Sequence, residues 1–163
     1  MLKPLKFLSL IVSIIFVSAC ALFGGNVDLG SVYLVSKYDP ERDPHEDLVL
    51  AIAEAEKTNK HILLEVGGDW CSWCHILDEY IQEKPEVVSA LQQNYVVIKV
   101  NYSEENSNDE FLTQYPPAAG YPHFYVLDQH GKFLHSQNTA DLEEGQSYND
   151  EVFLNFLAEW GPQ

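Results

Sequence analysis

Trp70-Cys71-Ser72-Trp73-Cys74-His75 sets two thiols three positions apart, just after a run that reads as a buried strand. Residues three apart on a helix share a face, so the two sulfurs can close a small disulfide ring and reopen it without rebuilding the backbone. A helix opening near Cys71 aims its free amide N–H groups and its dipole at the first sulfur. That favours the thiolate, which is the nucleophile of disulfide exchange. The same letters spell C-x-x-C-H, the attachment pattern of c-type haem, with His75 as an axial ligand. Two chemistries therefore compete for these residues.

The elements that must position the thiols follow from hydrophobic periodicity. His61 to Val66 is a short apolar run ending at Gly67-Gly68, the pattern of a central strand. A helix is expected from Cys71 toward Lys84, with Pro85 interrupting it or starting a second piece that reaches Gln93. Tyr95 to Val100 is a second strand rich in valine and isoleucine. Asp109 to Tyr115 suggests a short helix. Pro122 to Leu127 and Lys132 to His135 form a β-hairpin around Asp128-Gln129-His130-Gly131. Asn149 to Trp160 closes the chain with a helix whose apolar stripe is Val152, Phe153, Phe156, Leu157 and Trp160. Upstream, Val32 to Val35 reads as a short strand, and Asp47 to Lys57 carries Leu48, Ala51, Ile52 and Ala55 at helical spacing. The acidic stretches Ser103 to Glu110 and Asp141 to Asp150 read as solvated loops, either of which could dock a partner.

The start of the chain speaks to compartment. Lys3 and Lys6 precede an apolar run from Phe7 to Val17, and small residues then lead to a cysteine, the order of a secretory signal rather than a membrane span. Val17-Ser18-Ala19-Cys20 resembles the lipobox of bacterial lipoproteins, which implies lipidation of Cys20 as the first mature residue. Ala21 after that cysteine implies an outer-membrane anchor facing the periplasm. Residues 1–19 are thus expected to be a signal peptide, 20–31 a lipidated cysteine with a Gly-containing linker, and 32–163 one folded domain with its core from about His61. Of three cysteines, lipidation of Cys20 leaves Cys71 and Cys74 with no third thiol to mispair with in an oxidising compartment. A formal charge of −16 argues against nucleic acid as a partner and has solubility as its simplest meaning.

Strand, thiol-bearing helix, strand, helix, hairpin, helix: from about His61 onward this order and its C-x-x-C placement resemble the thioredoxin-like fold family, an α/β architecture of three layers with a central mixed sheet between helices, here with an N-terminal helical extension. Gly120-Tyr121-Pro122 matches the family's cis-proline, so the resemblance implies that Pro122 faces the dithiol and that Tyr121 offers backbone groups to a bound peptide. Glu65, six residues before Cys71, stands where relatives have a buried acid, and Lys99 matches the lysine that accompanies it. On physical grounds a carboxylate in an apolar strand needs such an ammonium or bound water, or it takes up a proton. The resemblance further implies Cys71 as the exposed nucleophile, Cys74 as the resolving thiol, Glu65 as its proton acceptor, and Trp70 as a shield. Ser72-Trp73 departs from the pairs usual between the cysteines, which leaves the redox direction open. Trp73 is a hydrophobic lid or a substrate contact, and substrate binding is expected to combine backbone pairing at Tyr121-Pro122 with apolar contact to Trp70 and Trp73.

The expected function is thiol–disulfide exchange with other envelope thiol proteins and a membrane redox partner, with no cofactor. Haem attachment would need a histidine opposite His75, since Met1 leaves with the signal; His45, His61, His123, His130 and His135 are the candidates. Copper(I) or zinc held by Cys71, Cys74 and either His75 or His123 is a further alternative. The last is a non-catalytic interaction module whose cysteines rest as a permanent disulfide.

Overall fold

The computed structural model describes residues 32–163. The expected signal peptide, Cys20 and linker lie outside the described residues.

The central strands form where apolar runs are flanked by turn signals. β2 (His61–Gly67) and β3 (Tyr95–Asn101) pair in parallel, and nearly every residue in both is buried. β4 (His123–Leu127) runs antiparallel on the other side of β2, and β5 (Phe133–Asn138) closes the expected hairpin. Its turn works because Gly131 takes φ 79°, while the Asp128 side chain accepts the backbone N–H groups of His130 and Lys132 at 2.9 Å each.

The stretch before His61 is more than a helical extension. β1 (Tyr33–Val35) adds in parallel to β3, completing a five-stranded sheet of order β1-β3-β2-β4-β5. α1 (Pro44–Thr58) begins three residues before the predicted Asp47, because Asp43 caps it by accepting the His45 N–H at 2.8 Å and Pro44 fits the first turn. The thioredoxin-like core therefore includes these elements and does not begin at His61.

Helices cover both faces. α2 (Ser72–Glu83), α3 (Pro85–Asn94) and α5 (Asp150–Glu159) pack on one face around Leu77, Ile81, Leu91, Phe153 and Leu157. The other face carries α1 and the short α4 (Asp109–Leu112) over Ile62, Leu64, Ile98 and Phe111. α4 stops at Leu112 rather than Tyr115, whose ring instead stacks on Tyr125 at 4.9 Å. Pro85 breaks the long amphipathic stretch as expected, since it lacks the N–H a continuous helix needs.

The acidic stretch Asp141 to Asp150 is not a solvated loop. A 3₁₀ turn (Thr139–Leu142) and a small hairpin of β6 (Glu143–Glu144) and β7 (Ser147–Tyr148) fold it back, burying Leu142 and Tyr148 in the α2 layer while the carboxylates face outward. Apolar burial by two residues outweighs the charge of their neighbours, which stay hydrated. Ser103 to Asn108 is a loop, held by Asn108 Nδ2 donating to the Asn101 carbonyl at 2.7 Å and Asn106 Nδ2 to the Pro40 carbonyl at 2.9 Å, while Asp109 and Glu110 open α4. Among the described residues no helix is long and apolar enough to cross a membrane.

Candidate functional site

Cys71 and Cys74 form a disulfide, with Cα atoms 5.3 Å apart. Cys71 is the N-cap of α2: its Sγ accepts the Cys74 N–H at 3.2 Å, a first-turn donor shared with the Cys71 carbonyl at 3.1 Å. An amide N–H aimed at Sγ, with the positive end of the dipole behind it, stabilises charge on that atom when the disulfide opens. Cys74 lies one turn in and shows no exposed surface. Gly67 makes room for it: a Cβ there would meet Cys74 Sγ at 2.5 Å.

Cys71, the more exposed of the pair, is itself buried in this disulfide state. It is only 3% exposed, because Tyr38, Trp73 and Tyr121 pack around the disulfide. The sequence reading missed this cover because Tyr38 arrives from the segment between β1 and α1.

Beneath the dithiol, Glu65 and Lys99 occupy paired positions of β2 and β3, and both face the α2 layer. The expected contact is present, with Lys99 Nζ 3.6 Å from Glu65 Oε1. Its shorter partner is Asp78 on α2, at 2.6 and 2.7 Å to the two carboxylate oxygens. Two phenols complete the shell: Tyr33 donates to Glu65 Oε2 at 2.8 Å and Tyr38 donates to Oε1. The ammonium also sits 5.0 Å and 4.7 Å from the centres of those two rings. Burial raises the Glu65 carboxyl above its usual range, with Lys99 and the phenols pulling the other way and Asp78 adding to the rise. Burial lowers the Lys99 ammonium, but Glu65 and Asp78 more than offset it, so the net shift is upward. Asp78 follows Cys74 by four residues, a helical repeat that points it to the same face. That spacing was the available signal for a residue the sequence reading did not select.

Trp70 is 59% exposed, yet its orientation is set by Nε1 donating to the Tyr102 carbonyl at 2.6 Å and by edge contact with Tyr121 at 5.8 Å. Trp73 is partly buried, with its ring edge-on to Tyr148 at 5.8 Å. The Tyr121-Pro122 bond is cis, as the resemblance implies, and Tyr121 stacks on Tyr102 at 4.6 Å.

The histidines scatter. His75 Nε2 meets the Asp69 carbonyl at 2.9 Å, and His123 packs against Tyr125 on the sheet face opposite Glu65, its Nε2 2.8 Å from Ser136 Oγ. Burial, helped by His135, lowers the His123 imidazolium to about 4. His45 lies on Phe111, His61 meets the Trp160 carbonyl, His130 meets Glu56, and His135 stacks on Trp160. Among the described residues no group of three or more His, Cys, Asp or Glu side chains is placed to hold a metal ion. Of the two histidines offered for copper or zinc, His123 lies across the sheet from the dithiol and His75 turns to the Asp69 carbonyl.

A mixed sheet with a C-x-x-C disulfide capping the helix after its central strand, a cis-proline before β4 and a buried acid on β2 defines a thioredoxin-fold dithiol protein. Residues 28–157 match the family Thioredox_DsbH, described as "Protein of unknown function, DUF255", and the chain belongs to that family. It is similar to the thiol:disulfide interchange protein DsbD 2 of Pseudomonas aeruginosa, 26% identical over 70% of this chain and 18% of that protein. It is also similar to human spermatogenesis-associated protein 20, 35% identical over 37% of this chain and 8% of that one. The chain thus spans less than a fifth of the length of these curated relatives. Among solved structures, the fold is shared with a disulphide isomerase from Xylella fastidiosa Temecula1 (TM-score 0.65, 23% identity, covering 77% of this chain and 97% of that one). It is likewise shared with the oxidised DsbD c-terminal domain of Neisseria meningitidis (TM-score 0.56, 16% identity, covering 77% and 99%).

Proposed function

We propose that this protein carries out thiol–disulfide exchange with other envelope proteins through Cys71 and Cys74. The observation that carries the reading is the disulfide at the N-cap of α2, packed in one buried cluster with Tyr38, whose hydroxyl donates to the buried Glu65 carboxylate. In this reading Cys71 forms the mixed disulfide, since the Cys74 N–H stabilises negative charge on its sulfur. Cys74 then attacks Cys71, releasing the partner's thiolate, and its proton passes toward Glu65. Lys99 holds Glu65 and Asp78 in place and keeps two carboxylates compatible within one small space. Trp70, Tyr121 and Pro122 form the surface beside the dithiol on which an extended partner segment docks, with backbone pairing at Tyr121-Pro122 and Trp73 closing the opposite side.

The compartment belongs to the same proposal. The likeness to DsbD proteins supports the periplasm, and Cys20 is assigned as a lipidated anchor in the outer membrane, with a membrane redox partner setting the direction of electron flow. Replacing Cys20 by Ser is expected to release the protein from the membrane fraction. For the chemistry, Cys74→Ser leaves Cys71 unable to resolve, so disulfide-bearing envelope proteins should accumulate on it as reductant-sensitive adducts. Absence of any such adduct, with Cys71 shown to be reactive, rules out exchange.

A further inference from the structure

Glu65 has no exposed route to the dithiol, being 1% exposed, and among the described residues its carboxylate meets Tyr33, Tyr38 and Lys99 rather than either sulfur. Of those groups, only Tyr38 also packs in the buried cluster with Cys71 and Cys74. A methyl group built on Gly67 would touch Cys74 Sγ at 2.5 Å and the Tyr38 hydroxyl at 3.0 Å, so the sulfur and the phenol converge on the same point over the end of β2. The hydroxyl meanwhile donates to Glu65 Oε1.

We propose that the Tyr38 hydroxyl relays the proton between Cys74 and Glu65. The inference rests on the exchange reading above. Starting from a mixed disulfide on Cys71, the Cys74 S–H proton moves to the Tyr38 oxygen as the Tyr38 proton moves to Glu65. The Cys74 thiolate forms the S–S bond with Cys71, and the bond from Cys71 to the partner sulfur breaks with its electron pair. The partner leaves as a thiolate and is protonated by solvent. Cys71 and Cys74 are oxidised and the partner is reduced; reversal runs the same hops backward when Cys74 is the leaving group. Burial beside Glu65 holds the phenol protonated well above its usual range, so Tyr38 exchanges one proton for another and does not ionise. The groups facing it are Tyr33 on β1, Glu65 on β2, Lys99 on β3 and Asp78 on α2, with Lys37, Asp39, Asp69 and His75 lining the open cavity of about 510 Å³ that it shares.

The test uses the reduced protein with 5,5′-dithiobis(2-nitrobenzoate), which loads thionitrobenzoate on Cys71; its displacement by Cys74 is followed by absorbance across pH. Tyr38→Phe keeps the ring and removes the hydroxyl. It is expected to slow the displacement about a hundredfold near neutrality, with the defect shrinking as Cys74 becomes a thiolate on its own at high pH. Tyr33→Phe removes the other donor to Glu65 without touching the sulfurs, and is expected to slow displacement far less. A Tyr38→Phe defect that does not change with pH, or one equalled by Tyr33→Phe, overturns the relay. If Glu65→Gln is slow while Tyr38→Phe is normal, the relay fails and Glu65 keeps its role. If neither variant is slow, the role of Glu65 fails as well.

Discussion

Gly67→Ala crowds the dithiol without replacing any group that titrates or reacts. The new methyl would lie 2.5 Å from Cys74 Sγ and 3.0 Å from two atoms of Tyr38. Neither neighbour yields easily in the oxidised protein: Cys74 is tied to Cys71, and Tyr38 is hydrogen-bonded to Glu65 under the same cover. Overpacking of this kind costs about 1–3 kcal/mol. For a chain of this size that lowers the thermal midpoint by roughly 2–12 °C. Reduction opens the ring and lets the Cys74 side chain rotate away, so part of the strain is relieved only in the dithiol form. Each 1.4 kcal/mol relieved shifts the equilibrium about tenfold, or about 30 mV, toward reduction. The assay is denaturant unfolding of the oxidised and reduced variant beside the parent, together with the dithiol–disulfide equilibrium against glutathione. Equal destabilisation of both redox forms refutes the reasoning, because the clash would then not be with the tethered sulfur. An unchanged oxidised form refutes it more simply.

Three further outcomes are expected. Because the folded protein raises the Glu65 carboxyl, its contribution favours folding at pH below the ordinary glutamate value of about 4.3 and is lost as pH climbs through the raised value. Glu65→Gln should remove that decline in urea titrations run across this window, and a parent whose stability instead rose on this account would contradict the burial. The His123 imidazole should titrate near 4 by NMR, so its share of stability is present above its unfolded value of about 6.5 and lost as pH falls through about 4; titration near 6.5 would show an open ring. Phe153, with no exposed surface among Tyr80, Phe124, Tyr148 and Phe156, should cost about 3–5 kcal/mol when cut to alanine, read by chemical denaturation. A loss under 1 kcal/mol would mean the cavity collapses freely.

Much of the fold was legible because its signals are local. Val and Ile runs between turn residues identify β2 and β3, Pro85 divides α2 from α3, and Asp128 with Gly131 sets the hairpin turn; each works within a few residues of chain. The segment after Asp141 was misread for the opposite reason. Its composition is acidic, while its structure is decided by Leu142 and Tyr148 reaching α2 from outside that local pattern. Likewise β1 is only three residues long, too short for periodicity to show that it completes the sheet at β3.

By itself, the sequence determined the Cys71 and Cys74 pair and the helix that presents it, since spacing along the chain sets which side chains share a face, while the pairing of Glu65 with Lys99 was implied by the resemblance to the thioredoxin-like family. The tertiary structure decided what surrounds them. Tyr33 and Tyr38 come from the first strand and the segment after it, and Asp78 comes from the thiol-bearing helix to take the shorter contact with Lys99. The dithiol is covered because the first strand crosses beside β3 and brings Tyr38 over the end of β2. Such contacts depend on strand order and layer packing, which bring residues tens of positions apart into one dry space, and no local pattern of charge or hydrophobicity encodes that meeting.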